Sequence, residues 1–261
     1  MMIKALVNGN WEYFSEEELQ PGTGSFRFNS GLYETFRTKS YKPVLLKPHL
    51  DRLFISAKKI NLQIKYSKLE IEKMISKVLD EFHVGDQRAR VIIVPEKVII
   101  YTADLNLNRN IYAGVSAITV SAQRNNPAIK TTDYKNCLIA YRLAQSKNCF
   151  DAILLDKKEE VCEGSRSNIF WVLNNTLFTR EDNVLPGVTR STIIQNSPYP
   201  INFSIINIVD FRWISELFLT NSGSGIIPVI KVNSIIIGDG KPGPMTLNLM
   251  KLYDRWSEKS S

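Results

Sequence analysis

Two adjacent stretches with helical apolar spacing constrain this chain most, because nearly everything apolar after them comes in short runs. Leu50, Leu53, Phe54, Ala57 and Ile60 recur at intervals of three and four after Pro48, which is tolerated in a first turn where its missing N–H would have no partner. Ile71, Met74, Ile75, Val78, Leu79 and Phe82 form a second stripe. Short extended runs flank them: residues 2–7 before the Asn8-Gly9 turn signal, the end of 26–37, then Val91–Val94 and Val98–Tyr101 around Pro95-Glu96-Lys97. The first half therefore reads as α+β.

Between Ser121 and Ile129 the sequence AQRNNPA loses its apolar pattern and reads as a linker. The expected division is a domain over 1–120, a linker over 121–129 and a second domain over 130–261. In the latter, a helix is expected from about Thr132 to Lys147. Apolar runs at Ala152–Leu155, Ile169–Leu173 and Leu177–Thr179, with turns at Lys157–Glu160 and Asn174-Asn175, suggest an antiparallel meander.

Composition narrows the class. With 261 residues, 44% of them hydrophobic, the chain can bury a sizeable core. No run approaches the roughly 18 apolar residues of a membrane span, and the first ten residues do not resemble a signal peptide. The three cysteines, Cys137, Cys149 and Cys162, lack CxxC spacing and fit reduced thiols in a cytosol. A net charge of +7 invites a nucleic-acid reading, but Lys58-Lys59 and Lys157-Lys158 are isolated pairs without interleaved aromatics. The same potential would favour a small anionic substrate. His49 and His83, the only histidines, have no metal-ligand spacing.

Four features could carry chemistry. Gly187-Val188-Thr189-Arg190 opens a helix after Leu185-Pro186, so free N–H groups and the positive end of the helix dipole could hold a phosphate there. Asn221-Ser222-Gly223-Ser224-Gly225 follows the strand Leu217–Thr220, where small residues could leave N–H groups for an anion. Arg52, near the edge of its helical stripe, could bind a phosphate through two parallel hydrogen bonds. Glu163 begins a polar patch before an apolar strand and could face a buried cation. Each also has an ordinary reading, as a helix start, a loop, a solvated arginine or a turn residue.

Together, and in order, these pieces resemble the fold-type-IV enzymes that use pyridoxal 5'-phosphate (PLP), the class-IV aminotransferases and their lyase relatives. Gly31-Leu-Tyr-Glu-Thr-Phe-Arg37 is similar to the family's G-x-F-E-T-x-R, and Pro48-His-Leu-Asp-Arg-Leu53 with Ser56-Ala57 to its H-L-x-R-L-x-x-S-A. Ile129-Lys130-Thr-Thr-Asp-Tyr134 resembles the lysine segment, and Glu163-Gly-Ser-Arg-Ser-Asn-Ile-Phe170 the E-G-x-x-S-N-x-F motif. Leu185-Pro-Gly-Val-Thr-Arg190 and Pro228-Val229 complete the series.

The resemblance implies a two-domain α+β fold, with a small N-terminal α/β domain and a larger C-terminal domain built on a barrel-like β-sheet, assembled as a homodimer. It implies that Lys130 carries PLP through its ε-amine and moves the proton at the amine-bearing carbon. Glu163 would pair with the pyridine nitrogen and Tyr134 with the phenolic oxygen. Arg52, the N–H groups of Val188 and Thr189, and Ser222 would hold the phosphate. The substrate would be a small anionic amine or amino acid, its carboxylate met by Arg27, Arg37, Arg90 or Arg166; neither nucleic acid nor membrane is an expected partner.

This chain departs from the family's Y-G-D-G at Phe28-Asn29-Ser30-Gly31, and from the usual glutamate of the phosphate loop at Gly225. TNSGSGIIPV resembles the loop of 4-amino-4-deoxychorismate lyases more than that of branched-chain aminotransferases. The leading expectation is therefore a cytoplasmic lyase that releases pyruvate and forms 4-aminobenzoate. The alternative is an aminotransferase of branched-chain or D-amino acids; a basic binding module without a cofactor is more distant.

Overall fold

The computed structural model describes residues 2–82, 85–105 and 107–259. The chain divides into two compact units: the first contains the residues up to 105 together with Ile129–Lys135, the second Leu107–Ala128 with Asn136–Lys259.

The first unit comprises β1 (Met2–Val7), β2 (Asn10–Ser15), α1 (Glu16–Leu19), β3 (Leu32–Lys39), β4 (Lys42–Pro43), α2 (Leu46–Lys59), α3 (Lys68–Glu81), β5 (Gln87–Val94) and β6 (Lys97–Asp104). Its six-stranded sheet runs β2-β1-β6-β5-β3-β4, antiparallel throughout. Asn8 (φ 49°) and Gly9 (φ 88°) both take the left-handed conformation that a two-residue hairpin turn requires. Helix α3 begins with a capping box between Ser67 and Glu70.

Helix α2 starts at Leu46, two residues before the expected Pro48, because Leu45 turns the chain in the left-handed region. Pro48 still lies in the first turn, where no intrahelical acceptor awaits its N–H. Leu50, Leu53 and Ala57 of α2 and Ile71, Ile75, Val78 and Leu79 of α3 pack against Leu32, Phe36, Ala89, Val91, Ile93, Val98 and Ile100. Those sheet residues alternate along their strands, so one face of the sheet meets the helices.

The second unit comprises β7 (Val115–Ser121), α4 (Lys135–Ser146, whose first residue belongs to the first unit), β8 (Asp151–Leu155), β9 (Val161–Gly164), β10 (Asn168–Leu173), β11 (Thr176–Thr179), α5 (Val188–Asn196), β12 (Ile201–Phe203), β13 (Glu216–Asn221), β14 (Gly225–Val232), β15 (Ile235–Ile236) and α6 (Pro244–Lys259). Its sheet runs β12-β11-β10-β13-β14-β7-β8-β9, with β15 on β14. Residue 120 lies within β7, which pairs in parallel with β8 and β14 and so belongs to this unit.

The expected hairpins β8–β9 and β10–β11 are present, but they do not form one continuous meander. Only Ser165–Ser167 separate β9 from β10, yet β13, β14, β7 and β8 intervene in the sheet order. Such a short link requires the sheet to curl until its β9 edge returns toward β10, which makes it barrel-like. Asp151 fixes the turn: its carboxylate accepts from Ser165 Oγ and Ala152 N on one oxygen, and from Ser167 Oγ (2.7 Å) and Arg166 N (3.4 Å) on the other.

Glu34 of β3 is completely buried among the apolar residues of the first unit. Arg52 meets its carboxylate with two parallel hydrogen bonds, Nε to Oε1 at 2.7 Å and Nη2 to Oε2 at 2.6 Å, and His49 Nδ1 lies 2.7 Å from Oε2. Burial alone would raise the Glu34 carboxyl, but the Arg52 charge and the His49 and Arg52 hydrogen bonds outweigh it and hold the pKa at about 2. Burial keeps His49 below its ordinary value, against the pull of Glu34. The neutral ring therefore donates its Nδ1–H, since a carboxylate can only accept.

A carboxyl lowered from 4.5 to about 2 stabilises the fold fully above pH 4.5, and that contribution is lost as pH falls through the folded value. Glu34→Gln is expected to cost about 3 kcal/mol at neutral pH, with the gap to wild type closing progressively below pH 4.5. Urea unfolding across a pH series checks this; an equal deficit at every pH would contradict it.

Candidate active site

Lys130 belongs to a segment that docks on the start of β3. Tyr33 N donates to Lys130 O (3.1 Å), Thr132 N to Gly31 O (2.8 Å), and Gly31 N to Thr132 Oγ1 (2.8 Å), with a β-bridge between Leu32 and Thr131. These bonds, with a tight turn closed by Thr131 N donating to Ile129 O (3.0 Å), hold residues 130–132 against β3, and α4 starts at Lys135 and not near Thr132. Gly31 is required there, because a Cβ would strike the carbonyl oxygen of Ile93.

The sheet face turned away from α2 and α3 carries a polar group. Lys130 Nζ lies 4.3 Å from the centroid of the Tyr33 ring, and Arg90 Cζ lies 5.6 Å from the same centroid. Tyr134, buried, meets Tyr33 edge-on at 6.0 Å. Arg90 donates Nε to Thr35 Oγ1 (3.3 Å) and Nη1 to Gln20 Oε1 (3.2 Å) and Tyr101 Oη (3.1 Å). All these partners are neutral, and among the described residues no carboxylate pairs with Arg90. A partly buried guanidinium held only by neutral groups is ready for an anion.

The other arginines considered for a substrate carboxylate stand differently. Arg27 is largely exposed and pairs with Glu18 at 3.4 Å, and exposed Arg166 stacks over Tyr141 with Cζ 3.5 Å from the ring centroid. Arg37 lies on β3 and is half-buried. Arg52, expected instead at the phosphate, is joined to Glu34 by two of its nitrogens.

In the second unit, buried Glu163 accepts from Arg124 Nε at 2.7 Å on one oxygen, and from Asn168 Nδ2 (3.2 Å) and Leu185 N (3.1 Å) on the other. Asn168 Nδ2 also donates to Leu185 O at 2.8 Å, so the EGSRSN and LPGVTR segments are joined through Glu163 and Asn168. Arg124 carried no functional signal in the sequence: it is a single basic residue in the unpatterned stretch before Lys130, far along the chain from its partner.

Helix α5 begins at Val188, as expected, with Gly187 at its N-cap and no side chain capping it. A Cβ on Gly187 would collide with Asn168 Oδ1, so only glycine lets the helix start lie against that side chain. Val188, Thr189 and Arg190 are all buried. Arg190 turns inward, donating to Arg180 O (2.6 Å) and Thr179 Oγ1 (3.3 Å).

The loop around Ser222 differs from expectation. Asn221 Oδ1 accepts from Gly223 N (3.0 Å) and Ser224 N (2.7 Å), so two of the N–H groups expected to await an anion are taken by a local side-chain turn. Beside it stands Thr220, directly across from Asn168 in the β10–β13 ladder; its Oγ1 is buried with no hydrogen-bond partner among the described residues. An orphaned buried hydroxyl is costly unless a ligand completes it. An uncapped buried helix start packed against Asn168, and an unsatisfied hydroxyl on the residue paired with Asn168 across the ladder, are features that fit a phosphate group.

The predicted site residues thus fall into two sets: Lys130, Tyr134 and Arg52 in the first unit, and Glu163, Val188, Thr189 and Ser222 in the second. His49 is bonded to Glu34, and His83 lies outside the described residues. Among the described residues, no three His, Cys, Asp or Glu side chains are grouped to hold a metal, and no helix is long and apolar enough to cross a membrane.

The family model for class IV amino-transferases matches residues 31–232. A Thermotoga maritima protein named "Probable branched-chain-amino-acid aminotransferase" is 30% identical over 85% of this chain and 85% of its own length. A D-alanine aminotransferase of Listeria monocytogenes is 28% identical over 96% of this chain and 95% of its own. The solved structure of a branched-chain aminotransferase from Thermoproteus uzoniensis with norvaline superposes with a TM-score of 0.81 at 25% identity, covering 98% of this chain and 94% of that one. A second branched-chain amino acid aminotransferase, solved with pyridoxamine 5'-phosphate, shares the fold at 21% identity, with a TM-score of 0.85 over 99% of this chain and 95% of that one. Matched by the family model over most of its length, and by relatives over nearly all of theirs, the chain is a member of the class IV aminotransferase family.

Proposed function

We propose that the chain is a PLP-dependent aminotransferase that moves an amino group between a branched-chain or D-amino acid and a 2-oxo acid. The observation that carries the reading is the sharing of the Tyr33 ring by Lys130 and Arg90, inside a chain of this family. One cation is an amine able to bond covalently to a carbonyl; the other is a guanidinium whose partners are all neutral. An α-amino or α-keto acid presents a reacting centre next to a carboxylate, the pair of groups such an arrangement would recognise.

PLP, when bound, supplies a sink for the electrons released at the amine-bearing carbon. Lys130 would hold it covalently through its ε-amine and, once displaced by the substrate amine, take and return the proton at that carbon. Glu163, oriented by Arg124, would face the ring nitrogen and favour its protonated form. Tyr134 would meet the phenolic oxygen. The N–H groups of Val188 and Thr189 would hold the phosphate with Ser222 and Arg52. A homodimer in the cytoplasm is part of the same proposal.

A second reading keeps the same roles for Lys130 and Glu163. The loop Thr220–Val229 resembles that of 4-amino-4-deoxychorismate lyases, and Asn221 organises it by capturing two backbone donors. In that case the substrate would lose pyruvate and become 4-aminobenzoate.

The two separate in one assay. Purified protein is given branched-chain and D-amino acids with 2-oxo acids, and 4-amino-4-deoxychorismate alone. Amino-group exchange with the first set and no pyruvate from the second is expected. Pyruvate and 4-aminobenzoate without exchange would move the chain to the lyases. Arg90→Gln should raise KM for carboxylate substrates by about 10- to 100-fold and leave PLP affinity unchanged; an unaltered KM would mean that another group holds the carboxylate.

A further inference from the structure

The C-terminal helix reaches the same region of the second unit. Glu216, on β13, receives Met245 N (3.0 Å), Thr246 N (2.7 Å) and Thr246 Oγ1 (2.6 Å), which fastens the start of α6 to the strand that ends at Thr220 and Asn221. About two turns further along, α6 presents Tyr253, whose side chain is almost wholly buried. Tyr253 Oη lies 3.2 Å from Thr189 Oγ1 in the first turn of α5. Its ring packs on Gly225: a Cβ there would lie 3.1 Å from Cε1 and 3.3 Å from Cδ1.

Gly225 is where this chain departs from the glutamate usual in the family's phosphate loop. With φ at +74° it holds a conformation that a glutamate would adopt only under strain, and the Tyr253 ring fills the space beside it. The substitution in the loop and the tyrosine from α6 thus fit together. One aromatic side chain touches both segments to which the proposed function assigns phosphate binding.

We infer that Tyr253 is a positioning residue for the phosphate end of the cofactor, acting through Thr189; this rests on the PLP reading above. A threonine hydroxyl has one proton to give and two lone pairs to receive with. When Tyr253 donates to Thr189 Oγ1, the Thr189 proton is left for an anion at the helix start, and the accepted bond polarises that hydroxyl further. The ring meanwhile holds the Asn221–Gly225 loop at a fixed distance from α5.

The test is a double-mutant cycle on the full chain, with Tyr253→Phe, Thr189→Val and the pair, each titrated with PLP and with pyridoxal, which lacks the phosphate. Tyr253→Phe keeps the ring and removes only the hydroxyl. It should weaken PLP by about 3- to 10-fold, leave pyridoxal unchanged, and add nothing in the Thr189→Val background. Equal weakening of both ligands, no weakening of PLP, or a full additional loss on top of Thr189→Val would overturn the inference while wild type still binds PLP. Wild type failing to bind PLP at all would remove the parent reading and this one with it.

Discussion

The chemistry assigned to this chain depends on the backbone pairing of residues 130–132 with the start of β3. Hydrogen bonds between Tyr33 and Lys130 and between Gly31 and Thr132, with a single β-bridge from Leu32 to Thr131, pin a short loop to the start of β3, and Lys130 is held against a strand rather than left at the tip of a linker. A flexible lysine would lose much of the rate advantage of a fixed amine, because proximity helps only when its entropy has already been removed. The pairing also explains a glycine: Gly31 must come so close to the Ile93 carbonyl that no side chain fits.

From that strand, alternation distributes the charges. Leu32, Glu34 and Phe36 face the helices, and Glu34, a carboxylate buried in this apolar layer, is balanced by Arg52 and bonded to His49. Tyr33 and Thr35 face the other way, toward Arg90. The second unit repeats the principle at Glu163, whose partner is Arg124. Breaking a buried pair is far more costly than never having built it, so both carboxylates are held in one orientation. Arg90 differs in that, among the described residues, no carboxylate pairs with it, and the proposed function places the substrate carboxylate there.

Local features were legible in the sequence because their causes are local. The stripes of α2 and α3, the Asn8-Gly9 and Asn174-Asn175 turns and the glycine before α5 all follow from spacing and backbone freedom. The family motifs carried Lys130, Glu163 and the helix start at Val188 into view together. What escaped was set by partners distant in sequence: β7 inserted between β14 and β8, Arg124 meeting Glu163, and Tyr253 filling the space beside Gly225. Asn221 was the instructive local case. Its loop looked like a row of waiting donors, and only its own side-chain geometry reveals that two are already engaged.

The measurement that bears most directly on the central claim is reduction of the PLP-incubated protein with borohydride, followed by digestion and mass mapping. A covalent pyridoxyl group on Lys130, accompanied by loss of the visible absorbance, is the predicted result. A label on Lys135 instead, or no chromophore and no label, would contradict the account, because the segment bonded to Gly31 and Tyr33 would then be holding the wrong amine in place.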